Sequence, residues 1–172
     1  MLVLGLVAFA LVTHNAYRSL SAKTTEQTAP AGIRRLPPGL ELEALDGKKV
    51  PLAGLTGKVV VLNFWAGWCA PCLNEMPGLY AFYRRLENNG LAVLAVNMDE
   101  DPNQGLDVLT KKVGKAPFPV YKGAESELAE QFEIGGLPFT VVVGRDGDIV
   151  YSRAGEIDWT NSDAATLIEE IL

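Results

Sequence analysis

Histidine is nearly missing from this chain, and cysteine is scarce. Its 172 residues include one histidine, His14, and two cysteines, Cys69 and Cys72. His14 lies in an N-terminal stretch outside the expected domain. A mechanism that needs a histidine base inside the fold is therefore excluded, and so is a mixed Cys/His zinc site. Two cysteines supply half the ligands of a structural zinc, so such a site would have to be shared between two chains. Positive charge is short as well. The formal net charge is -6, and the first 35 residues hold Arg18, Lys23, Arg34 and Arg35 against Glu26. The remaining chain carries 11 basic and 20 acidic residues, a balance of −9. Such a surface repels phosphate backbones, so nucleic acid is not an expected partner.

Long apolar runs are also absent. The nearest is "LVLGLVAFALV" at residues 2–12, short of the roughly 20 residues that span a bilayer comfortably. One reading is a buried N-terminal helix. The preferred one is a signal peptide or membrane anchor over residues 1–18, because residues 19–38 are rich in Ser, Thr, Ala, Pro and Gln and read as a flexible linker. No Lys or Arg precedes the run while Arg18 and Lys23 follow it, which opposes an N-in orientation. A stretch upstream of Met1 would explain both the shortness and the charge. Export is the expectation, with anchor and cleaved signal both open.

What remains is an ordinary globular composition, 48% hydrophobic and 21% charged, long enough for one domain with its own core. That domain is expected over residues 39–172. "LELEALDGKKVPL" alternates around Asp46-Gly47 and predicts a hairpin. Lys58–Ala66, "KVVVLNFWA", is apolar on both faces, like a central strand covered from two sides. A helix is expected from Pro71 to Asn88, with Leu73, Met76, Tyr80, Tyr83 and Leu86 at helical spacing and Pro77 inside it. A second buried strand follows at Leu91–Asp99, then a helix opening on Pro102, a short strand at "FPVY" and a helix at "ESELAEQF". "FTVVVGRDGDIVYSRAG" predicts a hairpin turning at Asp146-Gly147, and Ser162–Leu172 predicts a closing helix. The pattern describes an α/β sandwich with a mixed sheet.

The two cysteines bracket only Ala70 and Pro71. A disulfide closing so short a loop removes little unfolded-state entropy, so a structural staple gains little here. A redox centre fits better. Cys69 falls just before a helix start, where free backbone N–H groups and the macrodipole favour a thiolate. In such settings thiol pKa values fall from about 8.5 to roughly 3.5–7.5. Pro71 suits the first helical turn, where its missing N–H costs nothing. Cys72, deeper in that turn, is placed to attack a mixed disulfide at Cys69.

The stretch "NFWAGWCAPCLNEMP" at 63–77, with "GLPFT" at 136–140, resembles the thioredoxin superfamily. More narrowly it is similar to the exported thiol–disulfide oxidoreductases of the TlpA/ResA type, relatives of the cytochrome c maturation thioredoxins. The likeness covers roughly residues 36–172, including the leading hairpin, Pro77 in the helix, and a helix-strand insertion between Asp99 and Gly123. It implies a thioredoxin-like sandwich with helices on both faces of the sheet. It implies that Cys69 is the attacking thiol and Cys72 the resolving one of a redox-active disulfide. Trp68, Pro71, Leu137 and Pro138 would line the substrate site, with Pro138 as a cis-proline that frees the Leu137 backbone to pair with a bound peptide. No cofactor and no metal are implied. The implied partners are protein substrates with disulfides, apocytochrome c among them, and a membrane thiol donor, with the chain held at the cell membrane or in the periplasm.

Two positions depart from the family pattern. Asn63 stands where plain thioredoxin has a buried aspartate, and an amide cannot relay a proton. Glu75, three residues after Cys72 and on the same helical face, is the expected replacement; the alternative is an ordinary exposed helix carboxylate. Phe139 directly follows Pro138, which alters the expected groove. The acidic "DEDPNQ" at 99–104 reads as a strand-to-helix loop rather than a calcium site, and Lys111, Lys112 and Lys115 as a solvated face. Two other functions belong to this fold. A peroxide reductase of peroxiredoxin type would want a threonine three residues before the cysteine, where Ala66 stands. A non-catalytic peptide-binding module would not need an intact Cys69–Cys72 pair.

Overall fold

The computed structural model describes residues 34–172 apart from Pro38 and Glu125. The expected anchor or signal (1–18) and most of the expected linker (19–38) lie outside the described residues. Among those described, no helix is long and apolar enough to cross a membrane.

A five-stranded sheet is the frame. Its strands are β3 (Val59–Trp65), β4 (Leu91–Asn97), β5 (Val120–Lys122), β6 (Phe139–Val143) and β7 (Ile149–Ala154), in the order β5-β4-β3-β6-β7. A small antiparallel hairpin, β1 (Glu41–Glu43) with β2 (Lys49–Pro51), precedes it. β3, β4 and β5 run parallel, whereas β6 and β7 are antiparallel to their neighbours, so the sheet is mixed as expected. All seven residues of β3 are buried. That follows from its place at the centre, with partners on both edges and cover on both faces.

Four α-helices complete the layers: α1 (Ala70–Leu86), α2 (Pro102–Lys112), α3 (Glu127–Gln131) and α4 (Asp163–Ile171). Alternate residues of the strands feed two cores. Val59, Val61 and Trp65 pack with α1, α4 and Leu109 of α2. Val60, Leu62 and Phe64 pack with Leu128 of α3, Phe132 and the hairpin side chains Leu40, Leu42 and Leu52. The helix after β3 ends at Leu86, two residues before the expected Asn88, and passes into a 3-10 turn over Glu87–Asn89. Gly90 then turns the chain with φ 99°, a left-handed conformation that suits glycine. Backbone pairing begins upstream of the expected domain start at 39: Ile149 N–H donates to Arg34 O and Leu36 N–H to Gly147 O.

Candidate active site

β3 delivers the chain to the reactive loop. After Trp65, which is wholly buried, the loop passes Gly67 and Trp68 and reaches Cys69, the N-cap of α1. The sulfur of Cys69 accepts the Cys72 N–H at 3.3 Å, so it already sits among the free donors of the first turn. Pro71 occupies that turn, where no donor is lost. Cys69 and Cys72 are joined in a disulfide with Sγ–Sγ 2.03 Å. Both cysteines are buried, Cys69 at 4% exposure and Cys72 at 0%, so Cys69 is the outer of the two. Trp68 beside them is 72% exposed, the large apolar side chain left in solvent among the described residues.

The Leu137–Pro138 bond is cis. Phe64 pairs with Phe139 across β3 and β6, so Pro138 falls opposite Trp65, at the end of the sheet where β3 exits toward Cys69. Leu137 packs against the core cluster that contains both cysteines. The carbonyl of Pro138 is already taken, accepting from Gly155 N–H at 2.8 Å. Phe139 follows the cis bond. It turns to the opposite face of the sheet and packs against Phe64, ring centroids 6.2 Å apart.

Glu75 is not an exposed helix carboxylate: it is 3% exposed. Residues 72, 75, 76 and 79 form the inward face of α1, and Glu75 takes its place there one turn after Cys72. Its carboxylate accepts two hydrogen bonds, from Asn63 Nδ2 to Oε1 at 2.7 Å and from Ile157 N–H to Oε2 at 2.8 Å. Burial nevertheless dominates, pushing the pKa up to about 7 against the lowering effect of those two donors, with Glu156 adding to the rise. A carboxyl poised there takes up or yields a proton near neutrality.

A further anchor was not visible from the sequence. Asp99, the first residue of the acidic loop, accepts the Gly67 N–H at 2.8 Å and the Asn97 Nδ2 at 2.9 Å through Oδ2. It thereby ties the loop that carries Trp68 and Cys69 to the end of β4. Gly105 of α2 makes room, since a Cβ there would lie 2.0 Å from Asp99 Oδ2. The signal available in the sequence was an Asn-x-Asp turn at a strand end, which fits many loops. Among the described residues no group of three or more His, Cys, Asp or Glu side chains is gathered to hold a metal ion.

With this geometry in view the chain can be placed among known proteins. Residues 24–168 match the family described as Redoxin. The chain belongs to the Redoxin family. Within it, the thiol-disulfide oxidoreductase ResA of Geobacillus kaustophilus is 30% identical over 166 residues, covering 96% of this chain and 91% of that protein. ResA of Bacillus cereus is 32% identical over 119 residues, 69% of this chain and 68% of that protein. Among solved structures, a thiol:disulfide interchange protein from Chlorobium tepidum superposes with a TM-score of 0.67 at 24% identity, covering 83% of this chain and 99% of that one. StoA from Bacillus subtilis superposes with a TM-score of 0.60 at 22% identity, over 78% and 97% of the two chains. Those likenesses establish the thioredoxin fold, and the ResA relatives the activity: this Redoxin chain is a thiol–disulfide oxidoreductase of the ResA type. Its Cys69–Cys72 disulfide accepts two electrons and two protons on reduction, and Glu75 lies one helical turn from the buried sulfur.

Proposed function

We propose that this Redoxin protein works outside the cytosol, tethered to or released from the membrane by its N-terminal segment, as a reductant of protein disulfides. A membrane thiol donor reduces Cys69–Cys72 to the dithiol. The Cys69 thiolate then attacks one sulfur of a substrate disulfide, forming a mixed disulfide and releasing the other substrate sulfur as a thiolate. Cys72 gives its proton to Glu75 and attacks the Cys69 sulfur. The second substrate thiolate leaves, and the disulfide is restored. Two electrons pass from enzyme to substrate; Glu75 yields the Cys72 proton to the departing thiolate, and the other substrate thiolate takes from solvent the proton that Cys69 had released to it. Trp68, Pro71, Leu137 and Pro138 hold the substrate segment. The target class implied by the ResA resemblance is apocytochrome c, whose C-x-x-C-H segment takes haem through its cysteines.

The observation that carries this reading is the order of burial: a disulfide at a helix N-terminus with the outer sulfur beside Trp68 and the inner one on the helix face of a buried carboxyl. The test uses the reduced protein and a peptide bearing an oxidised C-x-x-C-H segment. Reduction of the peptide is expected from the wild type, a trapped mixed disulfide from Cys72→Ser, and none from Cys69→Ser. Full activity in Cys69→Ser would sink the assignment. The direction of flow is read from the reduction potential. A value of about −230 mV or lower fits a reductant, and one near about −120 mV marks an oxidant and removes the cytochrome role.

A further inference from the structure

We infer that Asn63 is a positioning residue whose side-chain amide couples the ionisation of Glu75 to β6, the strand that follows cis-Pro138. The inference rests on the reading of Glu75 as proton acceptor for Cys72. It comes from a buried polar strip that the cysteine chemistry alone does not account for. Asn63 and Thr140 are fully buried and directly paired in register across β3 and β6. Nδ2 of Asn63 donates to Glu75 Oε1 at 2.7 Å and to Thr140 Oγ1 at 3.2 Å, and its Oδ1 is buried without a hydrogen-bond partner. Thr140 stands two residues after Pro138.

This arrangement suits an ionised Glu75, which accepts from Asn63 and from the Ile157 N–H. A protonated Glu75 changes the requirement. The Ile157 N–H can only donate and pairs best with the carbonyl oxygen of the acid, which puts the acquired proton on Oε1, facing Asn63. Donor would then meet donor at 2.7 Å. A half-turn of the amide relieves this by bringing Oδ1 round to accept from Glu75, and it moves Nδ2 into the buried place that Oδ1 leaves. The Thr140 hydroxyl, able to accept or to donate, reverses its own bond to match. Ile157 is fixed and the amide is reversible, so the proton taken from Cys72 is recorded as the orientation of Asn63 and of the Thr140 hydroxyl. Other groups facing Glu75 do not compete for this role. From α1 the titratable neighbour is Cys72 when reduced. From the segment between β7 and α4 the charged one is Glu156, which raises the proton affinity of Glu75 and donates nothing to it. From β3 and β6 the polar contacts are Asn63 and Thr140 themselves.

The test is an NMR titration of the full-length oxidised protein. The Glu75 carboxyl carbon, assigned through Glu75→Gln, and the Asn63 side-chain amide are followed together. The expected result is one shared midpoint. In Asn63→Asp, an isosteric change, two carboxyls face each other and the upper titration step should move up by about one pH unit or more. The alkylation profile of Cys72 in a Cys69→Ser background should move with it. An Asn63 amide that stays flat through the Glu75 titration overturns the inference without any variant, and so does an unmoved midpoint in folded Asn63→Asp. Should the Glu75 midpoint move while the Cys72 profile stays put, the coupling stands and the proton-acceptor reading of Glu75 falls.

Discussion

The two faces of the sheet carry different kinds of core. On the α1 face, strand residues Asn63, Asn97 and Thr140 are buried beside Val59, Val61 and Trp65, and the helix adds Glu75. On the α3 face the strands contribute Val60, Leu62, Phe64, Val141 and Val143, with Ser152 the buried polar side chain there by its register with Val141. Four of the five buried polar side chains among the described residues thus share the face that holds the disulfide. An unpaired polar group in a core costs on the order of 1–3 kcal/mol; on the α1 face the Asn63 amide links Glu75 with Thr140, and Asn97 pairs with Asp99. The α1 face carries most of the buried polar side chains within its core, and the α3 face is almost wholly apolar. The plane of a single sheet thus divides the buried polar groups unequally.

That division can be broken from either side. The largest effect on stability is expected from Phe64→Ala on the apolar face. Phe64 is fully buried and packs edge-on against Phe132 with centroids 6.0 Å apart. Its truncation should cost about 4 kcal/mol in urea denaturation, with the pH profile of cysteine alkylation unchanged. A shifted profile would show that the faces are not independent.

Next comes Glu75→Gln on the polar face. Because the folded-state pKa of Glu75 is raised to about 7, the folded protein binds a proton more tightly than the unfolded chain. The stabilisation is fully present below the ordinary glutamate pKa and is lost as the pH rises through about 7. The oxidised wild type should therefore lose roughly 3 kcal/mol of stability between about pH 4.5 and 7 from this group. Denaturation curves across that window should be flatter for Glu75→Gln, and an equal slope in both would refute the assignment.

The smallest effect is expected at the anchor of the reactive loop. Gly105→Ala forces a Cβ into the place of the Asp99 carboxylate and should cost about 1–3 kcal/mol. It should also loosen the Gly67 N–H bond to Asp99, seen as faster hydrogen exchange at Gly67. Exchange as slow as in the wild type would mean that the loop is held by something other than Asp99.

Much of this architecture was legible beforehand because its causes are local. β3 reads as a central strand from its unbroken apolar run, and α1 from apolar residues at helical spacing. The N-terminal hairpin and the β6–β7 turn follow from Asp-Gly pairs at 46–47 and 146–147. The cysteine pair was legible for the same reason, since its position before a helix start is a matter of a few residues. What faces Asn63 was not legible, because a residue type by itself does not name its neighbours. Its partner Glu75 lies 12 residues away on another element, and Thr140 lies 77 residues away.

By itself, then, the sequence determined the order of elements, the mixed sheet, and the chemistry of Cys69 and Cys72, because these rest on periodicity, turn residues and spacing along the backbone. Tertiary structure alone decided what surrounds them. It buried Glu75, brought in the Ile157 N–H from 82 residues away to hold it, set Asn63 against it, and hung Gly67 on Asp99. The carboxyl has a pKa near neutrality because a packed core withholds water from it, and desolvation is a property of the assembled layers that no local stretch of chain possesses.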